Sequence, residues 1–166
     1  MKLITRLGIW LAAFVACGVL GGAAPGAGAK DSLGWSPQAA AAYLDSRATF
    51  WSTWPNAARD HGTFCISCHT TLPFAIARPA LRGLLGESGP GAAETKILDN
   101  LLTRARGYRE MEPFYPDQTR GIPKTSESRA IEAVMNAVVL TTRDRSSGHL
   151  SADSKTALAN MWALQM

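Results

Sequence analysis

The apolar positions recur at helical spacing through most of the chain, and proline and glycine break the pattern into segments. Ser36-Pro37 places an N-cap before a proline at the first helical position. That pairing predicts a helix through QAAAAYLDSRATFWSTW that stops before Pro55, with Tyr43, Leu44, Phe50, Trp51 and Trp54 forming an aromatic face. A second helix is predicted from near Cys65 to Leu85, with Gly86 as its stop and Pro73 and Pro79 as kinks or a break. After the loop GESGPG, the segment AAETKILDNLLTRARGYREME places Ile97, Leu98, Leu101 and Leu102 on one helical face, and Pro113 closes it.

PFYPDQTRGIPK carries three prolines and a glycine, and predicts an ordered surface loop. Thr125 or Ser126 then caps a helix through Thr142 whose predicted buried stripe is Ile131, Val134, Met135 and Val138. Ser151 caps a last helix, SADSKTALANMWALQM, with Leu158, Met161 and Trp162 on one side. No glycine, asparagine or proline follows its final turn, so the apolar pattern is still running at Met166. There is no internal repeat. The expectation is an all-α domain, a small bundle of about five helices, over residues 37–166, with a linker at 30–36.

The first 29 residues change the picture. A cationic start at Lys2 and Arg6, an apolar run from Leu7 to Leu20 and small residues ending in Ala27-Gly28-Ala29 read as an export signal cleaved after Ala29. The run falls short of the roughly 20 residues that a spanning helix needs. Cys17 offers a minority alternative, lipidation after Val15-Ala16, against which Phe14 counts. Export implies a periplasmic or otherwise extracytoplasmic location. Losing Lys2 and Arg6 lowers the formal charge from +4 to +2, which gives no electrostatic footprint for nucleic acid. At 166 residues one domain is expected.

Export also leaves two cysteines, Cys65 and Cys68, in an oxidising compartment where adjacent free thiols do not persist unmodified. They stand in HGTFCISCHT, and the histidine directly after the second cysteine discriminates among their uses. Cys-x-x-Cys-His is the spacing of c-type haem attachment: two thiols add to the vinyl groups and the next residue sets an imidazole under the iron. On this reading Cys65 and Cys68 carry one covalent haem c, His69 is the proximal iron ligand, and the protein transfers electrons or senses through haem, with an enzymatic role less favoured. Three alternatives stay open. A thioredoxin-like dithiol wants a βαβ context that the sequence lacks. A zinc-stapled interaction domain needs two further ligands, with only His61, His69 and His149 to draw on. A structural disulfide leaves His69 unexplained.

The second axial position has two candidates, Met111 and His61, and a five-coordinate iron, open to small molecules, is the alternative to both. Met111 falls in a loop-bound segment, REMEPFYP, at a distance from the motif where small cytochromes often place a methionine; His61 lies eight residues before His69. Met135 and Met161 read as core residues because they sit in apolar stripes, and His149 as a surface residue. Trp51 and Trp54 are expected to fill the core or pack on the porphyrin. Arg59, Arg78 and Arg82 are candidate partners for haem propionates. No Ser-His-Asp set, phosphate loop or paired-acid motif is present.

Beyond the haem motif, AAAYLDSRATFWSTWPNAARDHGTFCISCHTTLPFAIARPALR, KILDN, EPFYPD, KTSESRAIEAVMNAVVL and MWALQ together resemble the amino-terminal segment of a group of exported bacterial proteins. These carry Cys-x-x-Cys-His ahead of a helical toroid similar to squalene-hopene cyclases and prenyltransferases. The resemblance covers about residues 37–166. It implies haem residues at Cys65, Cys68 and His69, and a toroid continuing beyond the equivalent of MWALQ, where this chain stops. It therefore implies either a truncated or split member, or an amino-terminal module partnered by a separately encoded toroid domain, in both cases without catalytic activity of its own. The partner implied by the haem reading alone is a redox protein.

Overall fold

A computed structural model describes residues 34–116 and 120–164. The expected export signal, Cys17 and most of the expected linker lie outside the described residues. The compact unit begins at Ser36.

Five α-helices account for most of the described chain, and the fold is all-α. Helix α1 runs Pro37–Thr53 and starts as the sequence predicts, with Pro37 in its first turn and Ser36 Oγ accepting from the Ala39 N–H at 3.2 Å. It ends at Trp54, whose extended backbone leads into the 3-10 turn Pro55–Ala57. The inward positions are Ala41, Leu44, Ala48 and Trp51, a spacing that lines up one helical face. The expected aromatic face is therefore divided. Leu44 and Trp51 turn to the core, while Tyr43 (65% exposed), Phe50 and Trp54 turn outward, with Phe50 and Trp54 stacked at 6.3 Å and Arg47 over the Phe50 ring.

Helix α2, Thr71–Leu85, begins six residues after Cys65, so the cysteine motif lies ahead of the helix rather than in its first turn. Pro73 sits in the first turn, where an N–H has no intrahelical partner anyway. Pro79 lies inside the helix without ending it. Gly86, left-handed at φ 67°, closes the helix, and the N–H of Glu87 returns to the Arg82 carbonyl at 3.1 Å.

Helix α3, Ala92–Arg106, is entered through Gly91, whose N–H donates to the Glu94 carboxylate at 3.1 Å. Its buried face is partly polar: Ile97, Leu101 and Ala105 alternate with Glu94, Asn100 and Arg104.

Helix α4, Ile122–Asp144, starts earlier than the expected caps. Thr125 Oγ1 is used instead to bond the Tyr115 carbonyl at 2.7 Å, tying the preceding loop to the helix. The expected buried stripe is corrected. Met135 is buried, but Ile131, Val134 and Val138 are 44%, 45% and 39% exposed. The helix buries Ser128, Glu132, Ala133, Asn136, Ala137, Val139 and Leu140 instead. Glu132 meets Arg104 of α3, and satisfying that charge pair sets the rotation of α4.

Helix α5, Ala152–Trp162, has the predicted Ser151 cap, with Ser154 N donating to Ser151 Oγ at 3.2 Å. Asp144 joins the two last helices by accepting from Ser151 N at 2.7 Å and Ser154 Oγ at 2.6 Å. These bonds hold its carboxyl well below the usual carboxylate range. Leu158 and Met161 pack inward as expected, whereas Trp162 is exposed.

The core has two parts. One gathers Ala48, Ala57, Phe64, Ile66, Phe74, Ile97, Leu101, Met135 and Val139; the other gathers Ala105, Ala137, Leu140 and Ala157 where α3, α4 and α5 meet.

Candidate functional site

The segment between α1 and α2 carries the cysteines and is built as a short hairpin followed by a turn. Arg59 N donates to the Thr63 carbonyl at 2.8 Å, Thr63 N to Asp60 O at 3.0 Å, and Ala58 bridges Phe64. Its tip holds His61 (φ 53°) and Gly62 (φ 67°), two successive left-handed residues of the kind a type I′ turn requires. His61 is thereby an exposed turn-tip residue with Nε2 3.5 Å from Asp60 Oδ2.

From the hairpin the chain passes through the core, fixed residue by residue. Phe64 N donates to Asn100 Oδ1, and Asn100 Nδ2 donates back to Phe64 O, each at 2.9 Å. Cys65 N donates to the Ala57 carbonyl at 2.8 Å, and Trp51 Nε1 donates to Cys65 O at 2.8 Å. Four hydrogen bonds thus hold the backbone of two adjacent buried residues, the second of which is the first cysteine.

Ser67, inside the Cys-x-x-Cys spacing, then makes the turn. Its Oγ accepts from His69 N and Thr70 N, both at 3.1 Å, and its carbonyl accepts from Leu72 N at 2.9 Å. A serine here satisfies the orphan donors that precede α2, a task the N-cap Thr70 side chain does not perform. Cys68 and His69 consequently ride an exposed, serine-stabilised turn, while Cys65 stays buried. Burial pushes the Cys65 thiol up to about 11, with Arg59 acting in the opposite direction. At neutral pH it is a thiol rather than a thiolate, the reverse of what a reactive redox dithiol needs.

Cys65, Ile66, Ser67, Cys68 and His69 form one wall of a cavity of about 310 Å³, with Trp51 beside them. The opposite lining comes from Phe114 and Tyr115 and from α4, which contributes Glu127, Ser128, Ile131, Glu132 and Met135. The volume lies within the ~300–1,000 Å³ of small-molecule and cofactor sites. The lining is mostly apolar and aromatic, and exposed Cys68, His69 and Ile131 leave one side open.

Two polar clamps hold the cavity's walls. Arg104, 1% exposed, donates through Nε and Nη2 to both carboxylate oxygens of Glu132, through Nη1 to Thr63 Oγ1 at 2.7 Å, and through Nη2 to the Glu112 carbonyl at 2.7 Å. Arg59 lies over the Phe114 ring at 5.0 Å, and its Nη2 donates to the Phe114 carbonyl at 3.1 Å. The hairpin, α3, α4 and the 112–115 segment are therefore locked together around the cavity.

The structure distributes the sequence candidates unevenly. Cys65, Cys68 and His69 share the cavity. His61 is not among its lining residues, and neither is Met111, which is buried beside a second cavity lined by Asp60, Glu110, Pro113, Pro116 and Arg129 among others. Met111 folds back on its own turn, where a Cβ on Gly107 would meet its Cε at 2.6 Å. Met135 does line the first cavity while also packing into the core. Trp51 likewise serves both uses, and Trp54 is largely outside. Arg78 is held by Asp45 at 2.9 Å and Glu87 at 2.8 Å, and Arg82 by Glu94 at 3.3 Å, so both are committed to carboxylates away from the cavity. Arg59 keeps a buried Nε without a partner among the described residues.

Asn100, Ser67, Arg104 and Glu132 were missed by sequence reasoning. The first three show no distinctive spacing; Glu132 appears only as a charge beside an apolar stripe. Among the described residues no three His, Cys, Asp or Glu side chains group as a metal-ion site, so the zinc alternative gains no support. No described helix is long and apolar enough to cross a membrane. Comparison with protein-family models, with curated proteins and with solved structures finds no match for this chain.

Proposed function

We propose that this chain is an exported mono-haem c-type protein that transfers electrons or senses through its haem, exchanging them with a separate redox partner. One observation carries the reading: all three residues of the Cys-x-x-Cys-His motif lie on the wall of one largely apolar cavity. A zinc staple or a plain disulfide has no use for such a cavity beside it.

The residues present suit the group. Cys65 and Cys68 would hold it by thioether bonds and His69 would ligate its iron, which supplies a one-electron couple when bound. Cys65 is fixed by Trp51, Ala57 and the Asn100 clamp on Phe64, so the attachment edge is positioned by the fold. The exposed His69 imidazole makes no hydrogen bond among the described residues and is free to turn into the cavity. Trp51, Phe114, Ile131 and Met135 make the lining mostly apolar, and low polarity is one lever on haem potential. Arg59 stacks over the Phe114 ring at 5.0 Å and so supports that wall from behind.

The test is expression in a host with c-type maturation machinery, followed by a visible spectrum and an intact mass. The reading expects a mass raised by one haem that survives denaturation, with sharp α and β bands on reduction. A colourless product of apoprotein mass, from a host shown to mature other c-type cytochromes, refutes it.

A further inference from the structure

We propose that Met135, rather than Met111 or His61, occupies the iron's second axial position; this deepens the haem reading and rests on it. The cavity brings His69 and Met135 into one space from different elements, the turn before α2 and the middle of α4. Glu127, Ser128, Ile131, Glu132 and Met135 fall on one face of α4, as helical spacing requires. Met135 is the residue of that face that packs into the hydrophobic core.

The carboxylate and serine donors on the α4 side of the lining are engaged. Both Glu132 oxygens take Arg104, Glu127 pairs with Lys124 at 2.6 Å, and Ser128 Oγ donates to the Thr125 carbonyl at 3.0 Å. Tyr115 packs edge-on to Phe114 at 4.4 Å, with Arg120 and Lys124 over its ring. The Met135 thioether is the remaining soft donor, on an unbranched and adaptable side chain. His61 is held at the tip of the hairpin and Met111 against Gly107, both outside the cavity. With His69 and Met135 both holding it the iron would be six-coordinate, which suits electron transfer over binding of small molecules at the iron.

The experiment compares matured holoprotein with Met135→Leu, Met135→His and Met111→Leu. The readouts are intact mass, the weak long-wavelength band of a ferric thioether–iron bond, the upfield methionine methyl signals of the ferrous NMR spectrum, and the midpoint potential. Wild type and Met111→Leu should show the band and the shifted methyl. Met135→Leu should lose both, and Met135→His should replace them with a bis-imidazole spectrum and a lower potential, since methionine ligation raises it. If Met135→Leu does not accumulate, Met135→His and Met111→Leu still decide. Survival of the band in either Met135 variant, its loss in Met111→Leu, or its absence from haem-loaded wild type overturns the assignment while leaving the haem reading intact. A protein whose mass shows no haem overturns both.

Discussion

Asn100 and Asn136 are both buried on helix faces, and the structure predicts opposite outcomes for the same substitution. Asn100 accepts from the N–H of Phe64, the residue before Cys65, and donates to its carbonyl, each at 2.9 Å. Replacing it with leucine leaves both Phe64 groups buried without partners, at about 1–3 kcal/mol each, or roughly 2–6 kcal/mol together. Asn136, 1% exposed, has neither its Oδ1 nor its Nδ2 bonded among the described residues. Leucine there removes two unsatisfied polar atoms and should leave stability within about 1 kcal/mol of wild type or raise it. Urea unfolding of reduced apoprotein measures both: with slopes of about 1–3 kcal/mol/M, the Asn100→Leu midpoint should fall by ~1–2 M. The consequence for the site is measured by thiol labelling at neutral pH. Wild type should label quickly at Cys68 and slowly at Cys65, which is both buried and held as a thiol with its ionisation at about 11. Asn100→Leu should speed Cys65 alone. An Asn100→Leu protein within about 0.5 kcal/mol of wild type, or an Asn136→Leu protein destabilised as much as Asn100→Leu, would refute the reasoning from satisfied and unsatisfied amides.

Removing one partner of the Arg104–Glu132 pair strands a buried charge, so Arg104→Met should cost about 3–5 kcal/mol in urea unfolding. Arg104→Met combined with Glu132→Met should recover a large part of it, and a double variant no more stable than the single would contradict the pair's assignment. Asp144 has its folded ionisation lowered by the Ser151 and Ser154 hydroxyls and the Ser151 N–H. Its contribution is therefore present above the ordinary value of 3.8 and is lost as pH falls through the lower folded value. Asp144→Asn should be less stable than wild type near neutrality, and the two unfolding midpoints should converge on acidification; parallel pH curves would show that the Ser151 and Ser154 bonds do not act on the ionised form.

Much of the architecture was legible because it is written in short-range chemistry. Ser36-Pro37, Ser151 and Gly86 act through bonds to residues no more than four positions away, and they set helix ends wherever the helices later pack. The Cys-x-x-Cys-His spacing is local in the same sense, and its residues do share one cavity.

What the sequence left undetermined depends on partners far along the chain. Ile131, Val134 and Val138 read as a core stripe by periodicity, yet Val134 and Val138 face outward and Ile131 the open side of the cavity. Helix α4 buries Ala133, Met135, Ala137, Val139 and Leu140 and sends Glu132 to Arg104, a residue of another helix. Asn100 clamps Phe64 across 36 positions, and nothing in either local stretch announces it. Met135 packs in the core as its apolar stripe suggested but also lines the cavity, and Met111 lies outside that cavity, because spacing along the chain says nothing about which wall of which cavity a helix will form. A helical pattern determines that a segment has an apolar side; only the packing of buried polar groups against one another decided which side of α4 faces Cys65, Cys68 and His69.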